Sequence, residues 1–287
     1  MEATVKTGLV LEGGAMRGLF TSGCLDVFIE NNITFDMSTG VSAGAAFGCN
    51  FKSRQIGRAL RYNLKYARDK RYSSWQSFLK TGNLFNAEFC YHTLPEKLDP
   101  FDFETYRNNP MEFFAVTTDI LKGTPRYHKL SSCNYEELEL MRASASMPLV
   151  SVPVKAEGTL LLDGGITDSI PLKFSEGAGC KKNVVILTQP ENYRKKPSKL
   201  SAVMNIALRK YPELIKAIKN RPAMYNAQTE YAFQAQKEGR ALVICPETSL
   251  GISRTCKNES ELKRVYEEGR KAAEKNLNRI KDFLSAS

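Results

Sequence analysis

The sequence predicts an α/β protein, and three observations carry that prediction. An apolar strand at 7–12 runs into the glycine-rich turn Glu12-Gly13-Gly14-Ala15-Met16-Arg17-Gly18. A helix follows, with Leu19, Phe20, Cys24, Val27 and Phe28 at helical spacing. A second strand, placed at 33–37, leads into Gly40-Val41-Ser42-Ala43-Gly44 and a further helix start. Later buried strands, at 159–162, 183–188 and 241–245, alternate with helical stretches. Strands and helices in alternation are the pattern of an α/β sheet.

The first strand, turn and helix form a unit suited to anions, because consecutive backbone N–H groups converge at such a turn. A dinucleotide-binding G-x-G-x-x-G starting at Gly13 would need glycine where Ala15 stands. The oxyanion of an acyl-transfer intermediate is the better fit, because of what comes next in the chain.

Gly40-Val41-Ser42-Ala43-Gly44 fits the G-x-S-x-G nucleophile elbow. A serine exposed on a sharp strand-to-helix turn brings the two elements very close together. Positions two before and two after it must lack bulk, hence Gly40 and Gly44. A small-residue turn packing a helix on a sheet would show the same spacing, so the elbow needs support from elsewhere.

Residues 54–75 place Ile56, Leu60, Leu64 and Ala67 at helical spacing among Arg and Lys, a basic amphipathic helix. Residues 78–110 read as irregular and aromatic-rich. Strands are expected at 112–118 and 125–130, and a helix at 135–144 that Ala143-Ser144-Ala145-Ser146-Met147-Pro148 ends. The strand at 159–162 runs into Asp163-Gly164-Gly165, a carboxylate at a strand end. Sites in open α/β sheets form beyond the carboxyl ends of strands, so Asp163 can share a crevice with Ser42. Helices are expected at 199–219 and 222–238, and a long one at 259–284 opened by a capping box of Asn258 and Glu261.

The whole chain bounds the partners. It has 287 residues and a net charge of +10, unevenly spread. Residues 52–71 hold eight Lys/Arg against one acid, and 191–221 hold nine against two. These stretches are the candidates for peripheral contact with an anionic membrane surface. A nucleic acid would be the other anionic partner, but no reading motif is present and none is expected. The seven cysteines are scattered and contain no C-x-x-C pair, which predicts free thiols and no metal site. No apolar run reaches a membrane span, and the first residues form no secretory h-region. The expected location is cytoplasmic, at most peripheral at the inner membrane surface. Oligomeric state is not legible.

Ser42 needs a base. The two histidines, His92 and His128, follow no obvious buried strand and read as polar surface residues. The alternative is Asp163 acting directly, with burial raising its ordinarily low pKa.

The three motifs in this order resemble the patatin-like phospholipase family, in particular its compact bacterial members. The resemblance extends to Arg142-Ala-Ser-Ala-Ser-Met-Pro148 and to Asp163-Gly-Gly-Ile-Thr-Asp-Ser-Ile-Pro171. It implies a three-layer α/β/α fold with a mostly parallel sheet, and hydrolysis of lipid acyl esters, phospholipid or lysophospholipid, by a Ser–Asp dyad without cofactor or metal. Ser42 matches the nucleophile and Asp163 the base. Gly13, Gly14 and Ala15 match the oxyanion loop, and Arg17 its basic residue, assigned to holding the loop or an anionic head group. The family pattern usually has a third glycine where this chain has Ala15, and a positive φ there would cost alanine about 1 kcal/mol more.

The expected organisation is one acyl hydrolase domain over 1–287: core motifs in 7–190, a helical segment in 191–238 that could act as a lid, and a final strand and helix in 239–287. The alternative is a weakly active or inactive lipid-binding protein on the same fold.

Overall fold

The computed structural model describes residues 5–197 and 201–285. In chain order the first elements are β1 (Thr7–Leu11), α1 (Gly18–Glu30), β2 (Met37–Val41), α2 (Ala43–Lys52), α3 (Arg58–Tyr66), α4 (Trp75–Thr81) and α5 (Phe103–Asn108). Then come β3 (Glu112–Asp119), β4 (Thr124–Lys129), α6 (Tyr135–Ser144), β5 (Val154–Ala156), β6 (Thr159–Asp163) and α7 (Leu172–Gly177). The last are β7 (Lys182–Ile186), α8 (Ser201–Ala207), α9 (Pro212–Lys237), β8 (Ala241–Ile244) and α10 (Glu259–Ser285).

The strands form one sheet in the order β5-β6-β3-β2-β1-β7-β8, with β4 also on β3. The central run β3-β2-β1-β7-β8 is parallel. β4, β5 and β6 pair antiparallel. Alternation along β1 divides the core. Leu9 and Leu11 pack in the apolar cluster that holds α1, α2 and α10. Val10 packs in the cluster that holds α7 and α9. Helices therefore cover both faces, the α/β/α arrangement expected, and β1 reads as a continuous apolar run because both of its faces are buried.

α1 is buried from Gly18 to Ile29, sandwiched between the sheet and α10. Glycines set the close approach of the two helices. A Cβ on Gly23 would stand 2.1 Å from the carbonyl oxygen of Tyr266, and one on Gly269 1.9 Å from that of Phe20.

Several expectations are corrected. The second strand is Met37–Val41, not 33–37. Its residues Ser38, Thr39 and Gly40 look like turn formers, yet they pair with both β1 and β3 and are buried. Tertiary pairing overrides their weak strand propensity. The basic helix is shorter than 54–75: α3 begins after Gly57 at φ 71, and α4 takes over at Trp75. The stretch 78–110 is largely helical, with a π-helical segment at Phe89–Leu98 and then α5. α9 runs unbroken through Pro222, where the sequence suggests a break. Proline removes one backbone donor there but does not end the helix. Part of the helix expected at 199–219 falls at 199–200, outside the described residues. β5 has no counterpart among the expected strands. Asn258 caps α10 through the Ser260 N–H, while Glu261 pairs with Arg264 instead of closing a capping box.

Candidate active site

β1 and β2 each deliver a site element from a carboxyl end. At the end of β2, Ser42 has φ 55 and ψ −120, a backbone conformation of high energy for a residue with a Cβ. The crowding that demands glycine on either side is visible. A Cβ on Gly40 would lie 2.6 Å from the nitrogen of Ala45, and one on Gly44 2.4 Å from the carbonyl oxygen of Leu11. The Ser42 N–H donates to the Ser144 hydroxyl at 2.9 Å.

Asp163 reaches Ser42 through the register of β3. β2 pairs with β3 up to Val41 opposite Val116. From the next residue on, Thr117 to Asp119, β3 pairs with both β4 and β6. With β4 on one edge, β6 must take the edge that β2 has just left. Its first partner there is Asp163, opposite Thr117. The carboxylate thus begins where the serine strand stops. Ser42 and Asp163 line the same small cavity, and the Ser42 side chain is near enough to lower the Asp163 carboxyl. Asp163 Oδ1 also accepts the Gly165 N–H at 2.8 Å, and the Asp163 N–H donates to the Ser146 carbonyl at 2.8 Å. Burial raises the Asp163 carboxyl above its ordinary value, against the lowering effects of Arg221, of Ser42 and Gly165, and of Arg254.

The loop after β1 closes on the serine. A Cβ on Gly13 would stand 2.9 Å from Ser42 Cβ. The Thr188 hydroxyl donates to the Gly13 carbonyl at 2.9 Å, so the trans N–H of Gly14 points away from Thr188. The N–H groups of Gly14, Ala15 and Ala43 find no acceptor among the described residues. Ala15 adopts φ 49, the left-handed conformation that favours glycine. Glu12, buried at the foot of the loop, accepts the Thr188 N–H and the Tyr225 hydroxyl, at 2.6 and 2.8 Å. Burial raises its carboxyl.

Two cavities meet here, sharing Ala15, Ser42 and Met147. One, of about 140 Å³, is mainly apolar, with Phe47, Tyr62, Phe85, Leu94, Met141 and Val150 among its walls. The other, of about 50 Å³, is polar and brings Arg17, Lys195, Arg221 and Arg254 to the side of Asp163.

Neither histidine lines either cavity. Both are buried, not at the surface as expected. His92 stacks on Tyr135 and meets Glu139 at 3.1 Å; His128 bonds the Thr117 hydroxyl at 2.7 Å. Sequence reasoning does not single out Ser144, Ser146, Thr188, Arg221 or Arg254 as site residues. Ser144 and Ser146 sit in the Arg142–Pro148 stretch, which is their only signal. The others carry no local pattern.

A family model described as patatin-like phospholipase matches residues 9–174, and the chain belongs to that family. A second, described as a domain of unknown function, DUF6363, matches residues 211–285. The uncharacterized protein YjjU of Escherichia coli K12 is 32% identical over 194 residues, covering 64% of this chain and 52% of that protein. Lysophospholipase nte1 of Aspergillus terreus is 28% identical over 183 residues, 60% of this chain and 11% of the fungal protein. Patatin-like phospholipase domain-containing protein 7 of mouse is 27% identical over 189 residues, covering 62% and 13%. The chain thus spans about half of the bacterial relative and a small part of the eukaryotic ones. The crystal structure of VipD from Legionella pneumophila superposes with a TM-score of 0.44 at 12% identity, over 96% of this chain and 67% of that one, a likeness too loose to carry weight.

Proposed function

We propose that this protein is a serine acyl hydrolase of lipid esters. The observation that carries the reading is the handover on β3 that sets Asp163 beside Ser42 at a strained elbow. In this reading the Ser42 hydroxyl attacks the ester carbonyl while Asp163 takes its proton. The oxyanion lies against the N–H groups of Gly14, Ala15 and Ala43; loss of one such donor typically slows catalysis about 10²–10³-fold. Asp163 passes the proton to the leaving alcohol, then takes one from the water that attacks the acyl-serine. Ser42 leaves with its proton restored. A raised carboxyl pKa suits that role, since a stronger base accepts the proton more readily.

The apolar cavity is the berth for the acyl chain. Trp75, Leu79 and Val152 are exposed, 70%, 84% and 46% accessible, and offer apolar contact to a lipid aggregate; Val152 follows the lining residues Val150 and Ser151 and its N–H donates to Asn83, another lining residue. The basic stretch 52–71 offers less than its charge suggests. Lys52 and Arg58 are buried, Lys52 on the Met111 carbonyl and Arg58 on Asp99, and Arg61 pairs with Asp99 as well. In 191–221, Lys195 and Arg221 turn into the polar pocket. No helix among the described residues is long and apolar enough to cross a membrane. The family and the relatives named lysophospholipases support lipid esters as the substrate class.

The test is release of p-nitrophenol from short-chain esters by wild type, Ser42→Ala and Asp163→Asn, with folding checked by circular dichroism. The expected result is turnover by wild type and near-complete loss in both folded variants. An active Asp163→Asn would overturn the dyad. The strained Ala15 favours one other reading, a lipid-binding protein with a poor oxyanion loop. Failure of folded wild type to react with a serine-directed phosphonate at Ser42 would support it.

A further inference from the structure

The polar pocket holds more positive charge than the reaction needs. Arg17 comes from the loop after β1, Lys195 from the segment after β7, Arg221 from α9, and Arg254 from the segment before α10. Four cations face two carboxylates, Glu12 and Asp163. Glu12 is occupied by Thr188 and Tyr225. Arg17, Lys195, Arg221 and Arg254 form no ion pair among the described residues, whereas Arg58 pairs with Asp99 and Arg142 with Glu139. The Nε atoms of Arg17 and Arg221 are buried without any hydrogen-bond partner among the described residues. Lys195 rests over the Tyr225 ring at 4.4 Å.

Assembling like charges in a partly desolvated pocket is unfavourable unless an anion joins them. The strain registers on the groups themselves. Burial, with Arg221 and Arg254 alongside, pushes Lys195 down to about 8. Burial also lowers Arg221.

We propose that this pocket binds a phosphate dianion, carried by the acyl ester that Ser42 cleaves. Guanidinium forks and an ammonium are the donors that tetrahedral phosphate oxygens take best. The pocket is compact, and it opens on the same Ser42 as the acyl cavity. An ester with its chain in one and its phosphate in the other puts the carbonyl at the serine. The favoured class is therefore acylglycerol phosphomonoesters over neutral acylglycerols. Three of the four cations lie beyond residue 174, and Arg221 and Arg254 fall within the 211–285 match. The segment matched by the domain of unknown function thereby contributes two of the four cations of the proposed phosphate site. The choice of substrate rests on the hydrolase reading; the phosphate site does not.

The experiment compares kcat/KM for 1-hexanoylglycerol 3-phosphate and 1-hexanoylglycerol, with calorimetric titration of inorganic phosphate into wild type. Arg254→Gln, at an exposed position, accompanies Arg221→Gln in case the latter fails to fold. Wild type should prefer the phosphorylated ester about 100-fold or more, and each variant should narrow that ratio by about tenfold or more, the worth of one charged hydrogen-bond donor. No preference, together with phosphate binding that Arg254→Gln weakens, would reassign the site to free phosphate and uphold its chemistry. Neither preference nor phosphate binding would overturn the proposal. If no ester is cleaved but phosphate still binds, the hydrolase reading falls and the phosphate site stands.

Discussion

The backbone N–H of Ser42 donates to the hydroxyl of Ser144, 102 residues further along the chain, at 2.9 Å. That bond holds the elbow at its strained φ and leaves Ala43, not Ser42, with a free donor on the helix side. Ser144 is itself fully buried at the end of α6. Ser144→Ala would leave a buried N–H unsatisfied, at a cost of about 1–3 kcal/mol. Thermal denaturation should show the loss. Kinetics on a p-nitrophenyl ester should show a lower kcat with KM little changed, because the proposed nucleophile, Ser42, is mispositioned rather than the chain unbound. A variant unchanged in both would remove Ser144 from the elbow.

The raised Asp163 carboxyl makes a paired prediction. Its folded value lies above its unfolded one, so the folded state holds the proton more tightly. Its contribution to stability is full below the unfolded value and is lost as pH rises through the folded one. Asp163→Asn removes that loss, so its stability advantage over wild type should grow between pH 4 and pH 8 in urea titrations. Activity should move the other way, with the acid limb of kcat/KM above the ordinary carboxylate range. An advantage that shrinks with pH would mean the carboxylate is stabilised by its neighbours.

The crossing of α1 and α10 leaves no room for a methyl group at Gly23 or Gly269, because backbone carbonyls stand in the way. Alanine at either should destabilise by about 1–3 kcal/mol or more, the usual cost of overpacking. Gly177, at the end of α7, has nothing within 4 Å of the place a methyl group would take and serves as the control. Alanine there should be neutral, or stabilising by up to about 1 kcal/mol. Equal effects at Gly23 and Gly177 in chemical denaturation would refute the close crossing.

Ala15 sits at φ 49 in the loop against Ser42. Glycine relieves the strain of that conformation but adds freedom to the unfolded chain. The balance predicts a gain for Ala15→Gly of at most about 1 kcal/mol. Ester turnover should hold or rise. A clear fall in turnover would show that the alanine methyl group contributes contacts in the cavity it lines.

Much of the site is legible in the sequence because its residues carry local chemistry. Gly40 and Gly44 flank Ser42 at a spacing that only close strand–helix packing requires, and the crowding is measurable in the fold. The loop at Gly13–Ala15 and the turn at Asp163 are visible for the same reason. β2 is easily misplaced because Ser38, Thr39 and Gly40 form a strand only when β1 and β3 flank them. Pro222 misleads because its effect on α9 depends on what the surrounding helix can absorb. The histidines mislead because polarity says little about burial once a partner such as Glu139 or Thr117 is supplied.

Residue identity alone is enough to mark the elbow, the glycine loop and the carboxylate turn, since each is a backbone conformation dictated by neighbours in sequence. Folding decided which carboxylate and which cations surround Ser42. Asp163 arrives because β3 exchanges β2 for β6 at Thr117, a matter of register, and register follows from the packing of a whole face. Arg17, Lys195, Arg221 and Arg254 converge from four separate segments. Only the assembled sheet and the helices laid against it bring them to one pocket.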